Sequence, residues 1–504
     1  MEENKLDLLV DKYHIRKRKY IILFIIIIAI VVLSYVLFKK PMPGVADQGD
    51  FDRVMCESGL ELLPEYISDN TFNRFYNYTI SDYKITSFDS SKLYNIIGKS
   101  TLSYLILIIN SICKLFNSEI FKTNYLAIVY SFIYLISFTI ILKFNNIKGN
   151  MKLLVMGLLG ILIFFDGNYL VWFNSLYGEP MMITSLMLFI SSYMYYTYKK
   201  FIASDEEGLV RGLLFLFLSA FLFLGSKMQV FTSLPFILIL LIKTLLENIK
   251  ILRKDIFRGF VMLLLFIFVY PIIINKTNCS ISKDTQYNSV FYGILKDSKD
   301  PRKDLIDMGL NPDMAVDAGK HAYLSPSEYV KYIPRTEITE EEFYKNINNI
   351  KLVKFYLFHP TRFFYGMQNT AKDAFKTSTF LGKYSREYSE EPIREFNRFT
   401  IWSSIREMLP KSFLFIVIIY LFIILYSFII YLKNKNNLYL RRNIEFLWMI
   451  ISIGITQYPM PFVGNGYADI AKQLYLFNFV FDIIIYIELS YILCKISHFL
   501  YNKK

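Results

Sequence analysis

The sequence predicts an all-α integral membrane protein: about ten transmembrane helices, interfacial helices in the first external loop, and one large, mostly helical external loop. Three observations predict it. Residues are 54% hydrophobic and only 20% charged, more apolar than a soluble core of this size needs. Runs such as 20–38, 181–198 and 413–432 approach the ~20 apolar residues that cross a bilayer. The basic residues behind the net charge of +13 gather in short loops between such runs. That is the positive-inside pattern of cytoplasmic loops, and it argues against nucleic acid as the partner.

The N-terminal segment 1–19 ends in Arg16-Arg18 and their lysine neighbours Lys17 and Lys19, which places it in the cytoplasm. Run 20–38 is too long for a signal-peptide core, and Lys39-Lys40-Pro41-Met42-Pro43 is no small-residue cleavage site, so the run is expected to stay as an anchor. Segment 41–100 is then external. The next apolar run, 102–117, is short and interrupted by Asn110 and Lys114. As a span it would put Lys143, Lys148 and Lys152 outside, so it is expected to rest in the outer interface. Spans follow at 125–142, 153–171, 180–198, 210–225, 230–247 and 259–275, closing a module over 20–275. Lys199, Lys200 and Arg211, then Lys250, Arg253, Lys254 and Arg258, then Lys433, Lys435, Arg441 and Arg442, and finally Lys503 and Lys504 all fall inside. Between 276 and 410, Asp, Lys, Pro and Tyr replace the Ile/Leu/Phe runs, and loops of that length usually carry structure and a binding role. The C-terminal module, 411–504, holds spans 412–432, 444–462 and 470–494.

Cys56, Cys113, Cys279 and Cys494 show neither a CxxC pair nor metal-ligand spacing. A Cys56–Cys279 disulfide outside the membrane and free thiols are both open, free thiols being the simpler reading. No internal repeat of the kind many transporters carry is evident.

That topology sorts the unusual polar residues onto one side. Ala46-Asp47-Gln48-Gly49-Asp50-Phe51-Asp52-Arg53 follows the first span, with three carboxylates in six positions, and charge held so near lipid usually serves function. Asp166 and Asn168 sit at the outer end of the third span, followed by Asn174, Tyr177, Glu179 and Pro180. Lys227 and Gln229 join the fifth and sixth spans, and Tyr467, Asp469, Lys472 and Gln473 open the last. Each has a plainer reading: Asp166 as a helix cap, 174–180 as a turn with Pro180 at the first helical position, Lys227 snorkelling to headgroups, and Lys472 with Asp469 as an interfacial ion pair. His321, His359 and Arg362 in the large loop read as ordinary surface or packing residues, and the spacing of the four histidines offers no metal site. Lys243, Glu445, Asp482 and Glu488, near or within spans, do not cluster along the sequence.

Carboxylates and cations on one membrane face suit sugar transfer from a lipid phosphate. An acceptor hydroxyl needs a general base, and the leaving phosphate needs Lys or Arg to meet its developing charge. At these residues the chain resembles the GT-C superfamily of polytopic glycosyltransferases. Asp47-Gln48-Gly49-Asp50-Phe51 is similar to the Asp-Glu-x-x-Tyr motif of the aminoarabinose- and protein-mannosyl-transferase branches. Residues 174–180, 226–229 and Asn288-Ser289-Val290-Phe291-Tyr292-Gly293-Ile294-Leu295-Lys296 resemble bacterial surface-glycan hexosyltransferases. The resemblance implies a GT-C-like bundle and a polyprenyl-phosphate sugar donor. It makes Asp47 the base, Arg53 and Lys227 phosphate contacts, Glu179 a sugar-orienting residue, and Tyr177 and Tyr467 stacking platforms, with Asp50 a further catalytic candidate. Gln48 stands where those branches carry a second acid, which leaves the part of Asp50 and any divalent cation (Mg or Mn) open. The acceptor would be a cell-surface glycan or a lipid-linked acceptor. High Ile, Lys and Asn content points to a bacterial plasma membrane, and the basic residues near each end place both termini in the cytoplasm. A glycan polymerase and a lipid-linked glycan flippase remain as alternatives; the polymerase would rely on loop arginines, the flippase on ionisable residues near the midplane.

Overall fold

The computed structural model describes residues 2–67, 72–87, 97–147, 149–277 and 279–501; Lys148, Lys503 and Lys504 lie outside the described residues. Eight described helices are long and apolar enough to cross a membrane: Arg16–Phe38, Thr123–Phe144, Glu206–Leu224, Met228–Leu246, Lys254–Thr277, Phe413–Lys433, Leu438–Asn465 and Tyr475–Leu493. The bent pair Asn150–Phe164 and Gly167–Asn174 makes a ninth. Expected span 180–198 is the 24-residue helix Gly178–Phe201, yet its Ser, Thr and Tyr content keeps it below the apolarity of the others. It is buried between Thr123–Phe144 and Glu206–Leu224, and a helix that meets protein instead of lipid has no need to be apolar all round. The protein is thus an all-α, multi-pass membrane protein. Its first helix runs unbroken over Glu2–Leu33, so the basic segment expected as a separate N-terminus continues the spanning helix.

The helix Thr101–Leu115 has 15 residues, about 22 Å at 1.5 Å per residue, short of the ~30 Å hydrocarbon core. Ile106, Ile109 and Asn110 face protein, with the Asn110 amide donating to the Ser58 carbonyl at 2.9 Å. Ile108, Ile112 and Leu115 are exposed. A short helix with one apolar face outward is what an interfacial position requires.

The first loop also contains a small sheet that the sequence does not announce. Strands β1 (Leu60–Leu62), β2 (Asp82–Ile85) and β3 (Ile120–Lys122) pair antiparallel in the order β1-β2-β3. Strands of three or four residues are too short to show a period-2 pattern. Tyr83 and Phe121 pair across β2 and β3 and are fully buried, so the sheet anchors the loop.

The bend in the third span has a local cause. Asp166 accepts from the Asn168 amide at 2.9 Å and from the Ser403 amide at 3.0 Å, satisfying groups the helix break leaves free. A Cβ on Gly167 would lie 1.9 Å from the Arg398 carbonyl oxygen; only glycine lets segment 398–403 dock into the break. The large loop is helical in pieces, including Asn349–Phe358, Pro360–Asp373 and Ile401–Glu407, while residues 374–399 form neither helix nor strand.

The Lys243–Glu445 pair corrects the expectation that these charges stand apart. Their side chains meet at 2.7 Å, and Arg442 reaches Glu247 and Glu445 at 2.7 Å each. Some 200 positions separate the partners in sequence, and only the packing of helix ends brings them together. Lys227 precedes the Met228–Leu246 helix that Lys243 nearly ends, so this network and the Lys227 region occupy opposite faces.

Candidate functional site

Asp47 to Asp50 form a turn whose two central residues, Gln48 (φ +57°) and Gly49 (φ +87°), are left-handed, with the Asp50 amide on the Asp47 carbonyl at 3.3 Å. Two positive φ angles in succession define the type I′ arrangement, and Gly49 accepts one without a Cβ penalty. Neighbouring backbone fixes the turn in place. Gly44 and Ala46 amides bond the Lys383 and Gly382 carbonyls at 2.9 and 3.0 Å, and the Gln48 amide bonds the Phe75 carbonyl at 2.7 Å. From below, the Tyr177 hydroxyl lies 2.7 and 2.6 Å from the Ala46 and Asp47 carbonyls.

The turn sends its two carboxylates into unlike surroundings. Asp47 is 3% exposed. One oxygen accepts from the Phe51 amide at 2.7 Å and the other from the Arg74 guanidinium at 3.1 Å. Burial pushes its pKa up to about 6, in spite of the Phe51 amide and Arg74, which pull the other way. Asp50 is 41% exposed and pairs with the Lys472 ammonium at 2.8 Å. Burial opposes its charge, but Lys472, Lys227 and Arg53 together hold it down at about 2. Burial likewise works against Lys472, and Asp50, Asp469 and Glu179 outweigh it, raising that ammonium well above the usual lysine range.

Lys472 also donates to the Gln48 side-chain oxygen at 2.8 Å and lies 5.3 Å over the Tyr177 ring. Gln48 in turn donates to Asp469 at 2.6 Å. Lys227 pairs with the fully buried Glu179 at 2.5 Å. Asp47, Asp50, Glu179, Lys227, Asp469 and Lys472, drawn from four stretches of chain, therefore converge at one membrane boundary, with Arg53 in electrostatic reach of Asp50. The plain reading of Lys472 with Asp469 gives way, because its ion-pair partner is Asp50.

Other expected site residues are fasteners. Asp166 is buried beneath Ser403 and Asn168, and Asn174 ties its amide to the Leu37 carbonyl at 3.1 Å. Gln229 bridges Gln457 and the Gln473 carbonyl at 2.7 Å each. All three are buried, and their hydrogen bonds tie neighbouring segments together. Tyr177 is also buried, edge-on to Phe51 and Trp172, so it supports the turn and offers no face for stacking. Tyr467 lies at the surface of the neighbouring loop, where the Lys296 ammonium sits 4.4 Å over its ring.

Arg74 was not signalled by any motif, although it is the single Lys or Arg in 54–83 among several acids. It bridges Asp47 and Asp52. Asn288 of the 288–296 stretch donates to Asn465 at 2.8 Å. Gly293 meets Gly466, where an added Cβ would sit 3.0 Å from the opposing Cα, so this stretch clamps the large loop to the turn bearing Tyr467 and Asp469. At the turn, Arg74 and the Phe51 amide take the two Asp47 oxygens and Lys472 takes one Asp50 oxygen, so a divalent cation there would compete with them. Asp304, Asp307 and His359 bring ligand atoms within 4.8 Å of one another, a grouping that spacing in sequence hides. Arg362 at 3.0 Å and Ser298 at 2.5 Å occupy Asp304 there.

Fold and site together define a polytopic membrane protein with a partly open, charged site at one membrane boundary. The chain matches the family model described as the YfdI N-terminal transmembrane domain over residues 9–504, and it belongs to that family. No curated protein and no solved structure matches it.

Proposed function

We propose that the chain is a GT-C-type membrane glycosyltransferase that moves a hexose from a polyprenyl-phosphate donor to a surface glycan or lipid-linked acceptor. The observation that carries this reading is the pair Asp47 and Asp50, three residues apart with pKa values driven to about 6 and about 2. Environments that push two acids apart divide their labour. Asp47, poised near neutrality, takes the proton of the acceptor hydroxyl as its oxygen bonds the donor's anomeric carbon. The bond from that carbon to phosphate oxygen breaks, and the departing phosphate takes the electron pair. Lys472, Lys227 and Arg53 meet its charge, each lysine ammonium having three donors and the Arg53 guanidinium five, so each can bind phosphate beside its present partners. Asp50 stays ionised and aims Lys472. Arg74 covers Asp47 and also holds the exposed Asp52, so a shift of its guanidinium toward Asp52 uncovers the base.

The basic residues crowd the opposite face, so by the positive-inside rule the site faces the exterior of a bacterial plasma membrane. The buried Asp482 within the last span does not favour a flippase, because Arg406 seals it from any path. A strain lacking the protein should accumulate the polyprenyl-phosphate hexose, and the wild-type chain but not Asp47→Asn should clear it. Clearance by Asp47→Asn at the wild-type rate removes Asp47 from the mechanism, and absence of any such lipid rejects the donor class.

A further inference from the structure

Beside the charged site lies a second concavity. A cavity of about 590 Å³ opens between segment 293–304, the start of the Pro360–Asp373 helix and the turn after Met460–Asn465. That volume falls in the ~300–1,000 Å³ range of small-molecule sites. Its lining combines the rings of Phe462, Tyr467 and Tyr365 with the side chains of Asp297, Asp304 and Arg362. The polar side chains are preset. Asp297 holds the Tyr467 hydroxyl, which also accepts from the Asn369 amide at 2.9 Å. Arg362 is pinned by Asp304 at 3.0 Å and the Ile294 carbonyl at 2.5 Å.

Tyr356 supplies the independent sign of a ligand. Its side chain lines the cavity and is only 6% exposed, yet its hydroxyl has no hydrogen-bond partner. Arg362 and Asp304, both on the cavity wall, are its charged neighbours. A buried hydroxyl left unpaired is unfavourable; it lies shielded behind the cavity lining, and a ligand hydroxyl that displaces that lining slightly would satisfy it.

The chemistry narrows the occupant. Flat rings suit the apolar C–H face of a pyranose, and carboxylates accept from its hydroxyls. Asp297, Asp300 and Asp304 balance Lys299, Arg362 and the adjacent Lys296, and Arg362 is held by Asp304, so the cavity offers no excess positive charge to select phosphate or a uronic acid. Tyr467 stands two residues before Asp469, at most about 7 Å along the chain, so one extended ligand can reach the cavity and the charged site together. We propose that this cavity is a subsite for a neutral oligosaccharide, holding acceptor sugar rings adjacent to the one that reacts. The proposal rests on the glycosyltransferase reading above.

The test uses the full chain in lipid nanodiscs free of sugar-headed detergent, with Tyr365→Trp at the rim as a fluorescent reporter. Neutral di- to tetrasaccharides of glucose, galactose, mannose, rhamnose and N-acetylglucosamine are titrated beside inorganic phosphate and glucuronate. A saturable change with at least one neutral oligosaccharide is expected, weakened at least tenfold by Asp297→Ala and about threefold by Tyr356→Phe, with the helical circular dichroism unchanged. No saturable change with any neutral sugar, a response indifferent to both variants, or tighter binding of phosphate or glucuronate overturns the subsite. Binding needs no turnover, so the two readings fail separately. Sugar binding with transfer indifferent to Asp47→Asn rejects the catalytic assignment alone, while Asp47-dependent transfer whose acceptor KM ignores Asp297→Ala rejects the subsite alone.

Discussion

Two charge clusters of this protein, one before the last span and one within it, serve opposite ends. In the first, Asp50 and Lys472 pair at 2.8 Å with Asp50 41% exposed. In the second, Arg406 and Asp482 pair with both side chains at 0% exposure. Arg406 there also bonds the Thr377 hydroxyl at 2.6 Å and the Phe375 carbonyl at 3.0 Å, and Tyr169 donates to Asp482 at 2.6 Å. The second cluster bonds inward on all sides, where it fastens the large loop to the last span. The first keeps an open edge. Residue type does not separate a site from a fastener; unspent hydrogen-bonding capacity facing a space does.

The largest expected effect breaks the sealed cluster. Asp482→Leu leaves the Arg406 guanidinium buried and unpaired, a loss of ~3–5 kcal/mol, and the yield of monodisperse protein on size exclusion should collapse. Wild-type yield would mean that the cluster is not a fastener. Next, Asp47→Asn should lower transfer by about 10²–10⁴-fold at undiminished yield, while Asp166→Asn, on the fastener side, should lower yield and leave turnover per folded molecule unchanged. Equal loss of turnover in both would erase the distinction.

The acid–base behaviour sharpens the contrast further. With the Asp47 pKa at about 6, its basic form and hence kcat/KM should rise about tenfold from pH 5 to pH 7. Stability should move the other way. The folded state holds a proton on Asp47 that the unfolded chain has lost, so this group makes stability fall as pH rises from about 4 to about 6. Asp50, held at about 2, adds stability that is complete above about 4 and disappears as pH falls toward 2. Thermal melts of wild type and Asp47→Asn across pH 4–7 read the first effect as a slope that the variant lacks. The smallest effect belongs to the opposite face. Lys243 is 42% exposed in its pair with Glu445, so Lys243→Ala should cost at most ~1 kcal/mol, a shift in melting temperature of a few degrees with transfer intact.

Much of the architecture was legible because lipid imposes it. The runs at 20–38, 125–142 and 413–432 had to be apolar and long, and they became Arg16–Phe38, Thr123–Phe144 and Phe413–Lys433. The short run at 102–117, with Asn110 and Lys114 inside it, had to remain off the spanning list. Legibility ended where those constraints lapse. Gly178–Phe201, expected as span 180–198, is a helix enclosed by protein and less apolar than the spans around it, and the three short strands are smaller than the period that would reveal them.

The chain alone therefore determined which segments enter the membrane and which face collects Asp47, Glu179, Lys227 and Lys472, because hydration and charge act on each segment independently. It could not decide who partners whom. That Asp50 takes Lys472, that Arg74 covers Asp47, and that Asp166 faces Ser403 depend on contacts across 27 to 422 positions. Such contacts exist only once helix packing has fixed the distances at which charges and hydrogen-bonding groups meet.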